Sequence, residues 1–152
     1  MRAAGWVEEP SVHLAAWPAG PAAGEALDEG GRRRWTAFLA VRDAVMKALE
    51  EQRGRGVIGS PLEARVTLII RDPPLRRDCE AHREALAEAF VVSEVEVRGD
   101  GTATAGPVGV QVARASGAKC ARCWKYLASV GSQPAHPQLC ERCVRVVTAH
   151  NG

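Results

Sequence analysis

The sequence predicts an α+β protein: a helical segment and a small mixed α/β unit, followed by a four-cysteine knuckle. Three observations carry this reading. Apolar residues recur at three- and four-residue steps between Arg32 and Arg53, the period of a helix with one buried face. A β-branched run at 65–70 and alternating valines at 108–112 have the composition and period of strands. Cys120, Cys123, Cys140 and Cys143 form a C-x2-C-x16-C-x2-C array that uses four of the five cysteines. Two such pairs can bring four thiolates to the corners of one tetrahedron, the arrangement a structural zinc ion prefers, so the tail reads as a zinc-binding knuckle. Four thiolates leave no open coordination position to activate water, so this zinc is expected to hold structure and perform no chemistry.

In chain order, the first 30 residues are rich in Ala, Gly and Pro and read as a connecting segment, because Pro18, Gly20, Pro21 and Gly24 interrupt any regular element. The short apolar stretch Val12 to Trp17 within it looks made to lie against something. Trp35, Phe38, Leu39, Val45, Met46 and Leu49 define the apolar face of the first long helix, which Gly54 and Gly56 end. The run Arg65-Val-Thr-Leu-Ile-Ile70 follows as a mostly buried strand, stopped by Pro73 and Pro74. A second helix fits Arg77 to Phe90, with Cys79, His82, Leu86 and Phe90 along one side. Val91 to Val97 reads as a strand, Arg98-Gly-Asp-Gly101 as a hairpin-type turn, and Val108, Val110 and Val112 as one side of the next strand. No internal repeat is visible.

Composition narrows the function. Apolar content of 46% and charged content of 25% are ordinary for a soluble protein, and no apolar run approaches the roughly 20 residues that span a bilayer. The first ten residues lack the pattern of a secretory signal, and paired CxxC motifs read as metal sites where thiols stay reduced, so a cytoplasmic location and no membrane partner are expected. The net charge of +2 conceals an asymmetry: from Ser116 onward Lys119, Arg122, Lys125, Arg142 and Arg145 face one acid, Glu141. A basic, zinc-fastened tail is compatible with nucleic acid. Trp124 and Tyr126 flank Lys125 beside the second cysteine; an aromatic face there could stack on an unpaired base, or Trp124 could cap the zinc loop as a miniature core. His136 lies near Cys140, but four cysteines already saturate a tetrahedron, which favours a surface or RNA-contacting role. Cys79 stands apart and reads as a small buried apolar residue. Paired carboxylates such as Glu50-Glu51 have no chemical partner nearby, and no catalytic residue is expected.

Several blocks together resemble one family. Lys119-Cys-Ala-Arg-Cys-Trp-Lys-Tyr126, Val130-Gly131, His136-Pro137 and Leu139-Cys-Glu-Arg-Cys-Val144 are similar to the C-terminal zinc-binding end of bacterial isoleucyl-tRNA synthetases. Upstream, Glu9-Pro-Ser-Val-His-Leu14 with Trp17-Pro18, Trp35 through Glu50, Val57-Ile-Gly-Ser60 and Leu62-Glu-Ala64 follow the same family in order and spacing. Pro61 departs from it, since serine is more usual there. The resemblance implies three parts: 1–60 as the end of a helical anticodon-binding domain, 61–115 as a small α+β junction domain, and 116–152 as the zinc-binding tail. It implies tRNA, through its anticodon arm, and the remainder of the synthetase as partners of a monomer, with Trp124, Arg122, Lys125, Tyr126, His136 and Arg142 as candidate tRNA contacts.

The family's HIGH and KMSKS signatures, which bind ATP, are not in these 152 residues. ATP therefore belongs only to the catalytic core of a parent isoleucine–tRNA ligase, and this chain alone should be inactive. Two other readings compete: a DNA-repair glycosylase of the formamidopyrimidine type, whose zinc finger is similar but whose N-terminal proline nucleophile is replaced here by Met1-Arg2-Ala3, and a stand-alone zinc module that binds proteins.

Overall fold

A computed structural model of the chain describes residues 11–17, 27–99 and 108–149. The chain divides into two units, Met1–Arg32 and Arg33–Gly152. In the first, Val12–Leu14 form a single 3-10 turn, and Leu14 and Trp17 are exposed, Trp17 at 95%.

Helix α1 runs Glu29–Gly54. Its first turn is closed by Asp28, whose carboxylate Oδ1 accepts the Gly31 N–H at 2.5 Å. Its end is turned by Gly56 at φ +72°, a left-handed conformation that glycine adopts without strain, and the Val57 N–H donates back to the Gln52 carbonyl at 3.0 Å. The buried stripe is narrower than the periodicity predicts. Val41, Val45 and Leu49, four residues apart, are almost wholly buried, whereas Trp35 and Leu39 lie exposed at its margin. Trp35 stacks on Phe38 (centroids 5.1 Å) and Phe38 on Phe90 (6.3 Å), a ladder leading from the exposed edge into the core.

A 3-10 turn at Pro61–Glu63, capped by Ser60, leads into β1, Ala64–Ile70. Helix α2 then spans Pro73–Ala81 and α3 Arg83–Ala89. Two expectations are corrected here. Pro73 and Pro74 begin the helix as well as stopping the strand: the Asp72 carboxylate accepts the Leu75 N–H at 2.9 Å, and proline's fixed φ suits the first helical turn, where no N–H is required. The single helix expected over 77–90 is divided at His82, whose backbone (φ −114°, ψ 23°) leaves the helical region; its exposed ring bonds to the Asp78 carbonyl at 2.8 Å.

Strands β2, Glu94–Arg98, and β3, Val108–Arg114, complete a sheet in the order β2-β1-β3. β1 pairs parallel with β2 and antiparallel with β3. The two valine-rich strands are therefore not hairpin neighbours, as the Arg98–Gly101 turn suggests, but flank β1, with α2 and α3 as the crossover that a parallel pair requires. Residues 100 and 101 of that turn lie outside the described residues. Alternation along β1 sends Ala64, Val66, Leu68 and Ile70 into one core with Val41, Val45, Leu49, Ile58, Cys79, Leu86, Phe90 and Val92. The opposite face carries Arg65 and Thr67 beside Glu94, Glu96 and Gln111. Among the described residues no helix is long and apolar enough to cross a membrane.

After β3 the tail forms a two-stranded ladder, β4 (Ala118–Lys119) with β5 (Tyr126–Leu127), and a last helix α4, Glu141–Ala149. Its own small core contains Cys120, Cys140 and Cys143, with Cys123, Leu127, Val130 and Leu139 against them.

Candidate metal centre

Gly117 makes the tail's entry possible. At φ +96° it lies so close to β5 that an added Cβ would fall 2.4 Å from the Leu127 carbonyl carbon. β4 then delivers Cys120 to a tight turn in which the Cys120 N–H donates to the Lys125 carbonyl and the Trp124 N–H to the Cys120 carbonyl, each at 2.9 Å. Trp124 occupies a positive φ of 65°, unusual for a bulky residue, and this bends the chain back into β5. The second pair comes from the entry to α4: the Val144 N–H donates to the Cys140 carbonyl at 3.0 Å, and Cys143 lies in the first turn. The Ala121 N–H donates to the Gln138 carbonyl at 3.0 Å and ties the two loops together.

The four sulfur atoms all lie within 4.8 Å of one another, and Cys123 Sγ and Cys140 Sγ are 3.8 Å apart. A tetrahedral zinc–thiolate centre with bonds of about 2.3 Å has sulfur–sulfur edges of about 3.8 Å, so the donor set fits one zinc ion in kind, number and spacing. Cys120, Cys140 and Cys143 are buried and Cys123 half-buried. The Cys140 N–H donates to Cys120 Sγ at 3.4 Å, and the Arg122 guanidinium donates to Cys143 Sγ at 3.8 Å; both help hold negative sulfur. His136 is outside the sulfur cluster. Its carbonyl accepts the Leu139 N–H at 3.1 Å, which shapes the turn before Cys140.

Electrostatics point the same way. Burial pushes the Cys120 thiol up, but backbone N–H groups of Cys123, Cys140 and Arg122, with the Cys123 side chain, bring it down to about 6. Burial, reinforced by bonds to Cys120, Cys140 and Cys143, pushes Cys123 up to about 12. Cys140 is also raised, first by burial and then by its sulfur neighbours Cys143 and Cys120. Protein groups alone favour a thiolate at Cys120 while Cys123 and Cys140 retain their protons. A divalent cation is what allows four thiolates to share so small a volume.

The remaining predicted site residues occupy distinct positions. Trp124 is 59% exposed and is not part of the tail core. The Lys119 ammonium lies over its ring, 5.8 Å from the centroid. Lys125 and Tyr126 are half-buried, and the Tyr126 N–H donates to Ser93 Oγ at 2.7 Å. Arg142 reaches Glu88 of α3 at 3.9 Å. The sequence marks Lys119 only as one of the tail's basic residues, not as a partner of Trp124, and it does not mark Ser93. Lys119 stands five positions before Trp124, and only the turn between them brings the two together. Cys79 is buried in the main core, as expected, and burial raises its pKa.

Comparison with known proteins agrees with this geometry. The family described as "Zinc finger found in FPG and IleRS" matches residues 117–146. The chain is 37% identical over 145 residues to the isoleucine–tRNA ligase of Exiguobacterium sibiricum, covering 94% of this chain and 15% of that protein. It is 38% identical over 148 residues to that of Desulfovibrio desulfuricans (91% of this chain, 16% of the relative), and 39% identical over 125 residues to that of Kosmotoga olearia (81% and 14%). The chain thus spans about 15% of the length of the curated relatives it matches. It is, along nearly its whole length, a relative of the C-terminal part of the isoleucine–tRNA ligases, ending in a zinc finger with one structural zinc ion.

Proposed function

We propose that this chain is the tRNA-binding C-terminal portion of an isoleucine–tRNA ligase, which positions the anticodon arm while a catalytic core outside these residues uses ATP to join isoleucine to the tRNA. In this reading Cys120, Cys123, Cys140 and Cys143 hold zinc and perform no chemistry. Arg122, Trp124, Lys125, Tyr126, His136 and Arg142 form or border the RNA-facing surface. The observation that carries the reading is Trp124. A large aromatic side chain left 59% exposed on a turn fastened by four cysteines, with a lysine over its ring, offers a stacking face beside cationic groups. Tyr126, Arg142 and Arg122 contribute more to shaping the surface, because each already has a partner in Ser93, Glu88 or Cys143.

Binding of the chain to isoleucine-accepting tRNA, measured by fluorescence anisotropy across salt concentrations, tests the proposal. Neutralising about three phosphates should weaken affinity on the order of 50-fold between 50 and 200 mM salt. Failure to bind tRNA, or binding indifferent to salt, would overturn it in favour of a protein-binding module.

A further inference from the structure

The main core and the tail core are separate clusters, and a buried hydroxyl stands at their junction. Ser93 is 5% exposed and, with Thr67, is one of two buried polar residues among those described. Its hydroxyl oxygen accepts the Tyr126 N–H of β5 at 2.7 Å, and its proton goes to the Leu62 carbonyl at 2.5 Å. Its own N–H donates to the Ala64 carbonyl at 3.1 Å. One side chain therefore joins three segments: the turn before β1, the entry to β2, and the strand that follows the first zinc-binding pair. A serine hydroxyl has one proton and can accept as well as donate, so this geometry uses it in both capacities. The other side-chain links described here, Arg142 to Glu88 at 3.9 Å and Ser116 to Glu94 at 3.5 Å, lie at exposed groups where water competes.

We propose that Ser93 is a positioning residue: by bridging Tyr126 and Leu62 it fixes the direction in which the zinc knuckle, and with it Trp124, projects from the sheet. The role in RNA presentation rests on the function proposed above, whereas the orienting bond does not. Tyr126 lies two residues after Trp124, so a change at this bond turns the aromatic face directly. The zinc ligands hold the knuckle together internally, but none of them reaches the sheet's core.

The test uses the full chain loaded with zinc. In the unsubstituted protein the Tyr126 amide should be protected from hydrogen exchange, and nitrogen-15 relaxation should show sheet and tail tumbling as one body. Ser93→Ala should keep one zinc per chain, raise exchange at Tyr126 at least tenfold, separate the tumbling of the two parts, and weaken tRNA affinity about tenfold. Ser93→Thr, which retains the hydroxyl, should restore much of each. An unprotected Tyr126 amide in the unsubstituted protein, or Ser93→Ala protein that still tumbles as one body, would overturn the proposal. Loosened tumbling with unchanged tRNA affinity would overturn the presentation role. If the unsubstituted chain binds no tRNA, the function proposed above fails, and the exchange and relaxation measurements still decide the orienting bond.

Discussion

Removing the zinc should unfold one end of this protein and leave the rest standing. The tail core consists of cysteines with Leu127, Val130 and Leu139 only partly buried against them, too little apolar area to order a segment of this length without help. A structural zinc supplies on the order of 10 kcal/mol or more. Without it α4, at nine residues, falls below the roughly 12–15 residues at which isolated helices become even marginally stable. The main core contains none of the four clustered cysteines and draws on α1, the sheet, α2 and α3. Among the described residues helices α1, α2 and α3 contribute 26, 9 and 7 residues, so loss of α4 removes about one-sixth of their helix. Titration with a zinc chelator, followed by circular dichroism at 222 nm and by a colorimetric zinc indicator, should show a drop of about that size in step with zinc release. A later cooperative unfolding transition of the sheet unit should remain. An unchanged helix signal in zinc-free protein would refute the reasoning, and so would collapse of the whole signal.

Two further outcomes follow. Gly117→Ala should destabilise the tail by about 2–4 kcal/mol, because a Cβ would meet the β5 backbone at 2.4–2.6 Å at a φ of +96°; denaturant-induced release of zinc should shift to lower concentration while the sheet transition stays in place. Zinc affinity should rise with pH: thiols in the unfolded, zinc-free tail have an ordinary pKa of about 8.5, so at least two protons must leave for each zinc bound near pH 7, and competition titrations should show about a hundredfold gain or more per pH unit.

Much of this architecture is legible where the signal is local. The three- and four-residue recurrence that includes Phe38, Val45 and Leu49 marks α1, though Val41, the buried residue between them, is not part of the face read from sequence; the β-branched run marks β1, and the spacing of the cysteines marks the metal centre. What escapes is set by contacts between distant segments. Strand order is one case: the valines that mark β2 and β3 say which faces are apolar, not that β1 lies between them. The start of α2 was readable in Asp72-Pro-Pro, a capping residue before prolines at the first helical positions, but prolines after a strand also read as a stop. Ser93 carries no sequence signal at all, being a lone small polar residue after two valines, and its partners Leu62 and Tyr126 are 31 and 33 positions away. The cation over Trp124 is equally invisible until the turn is built. The cysteine array alone identified the zinc and left its purpose open, and the 59% exposure of Trp124 could be read only once the turn was built.

The central claim, that zinc fastens a surface through which Trp124 meets RNA, is tested most directly by Trp124→Ala protein, with zinc content and tRNA affinity measured on the same sample. Because the ring lies outside the tail core, one zinc per chain should remain. Loss of a stacked base, about 1–3 kcal/mol, should weaken tRNA binding roughly 5- to 150-fold. Unchanged affinity with zinc retained would contradict the account, and loss of zinc together with affinity would make Trp124 a structural residue instead.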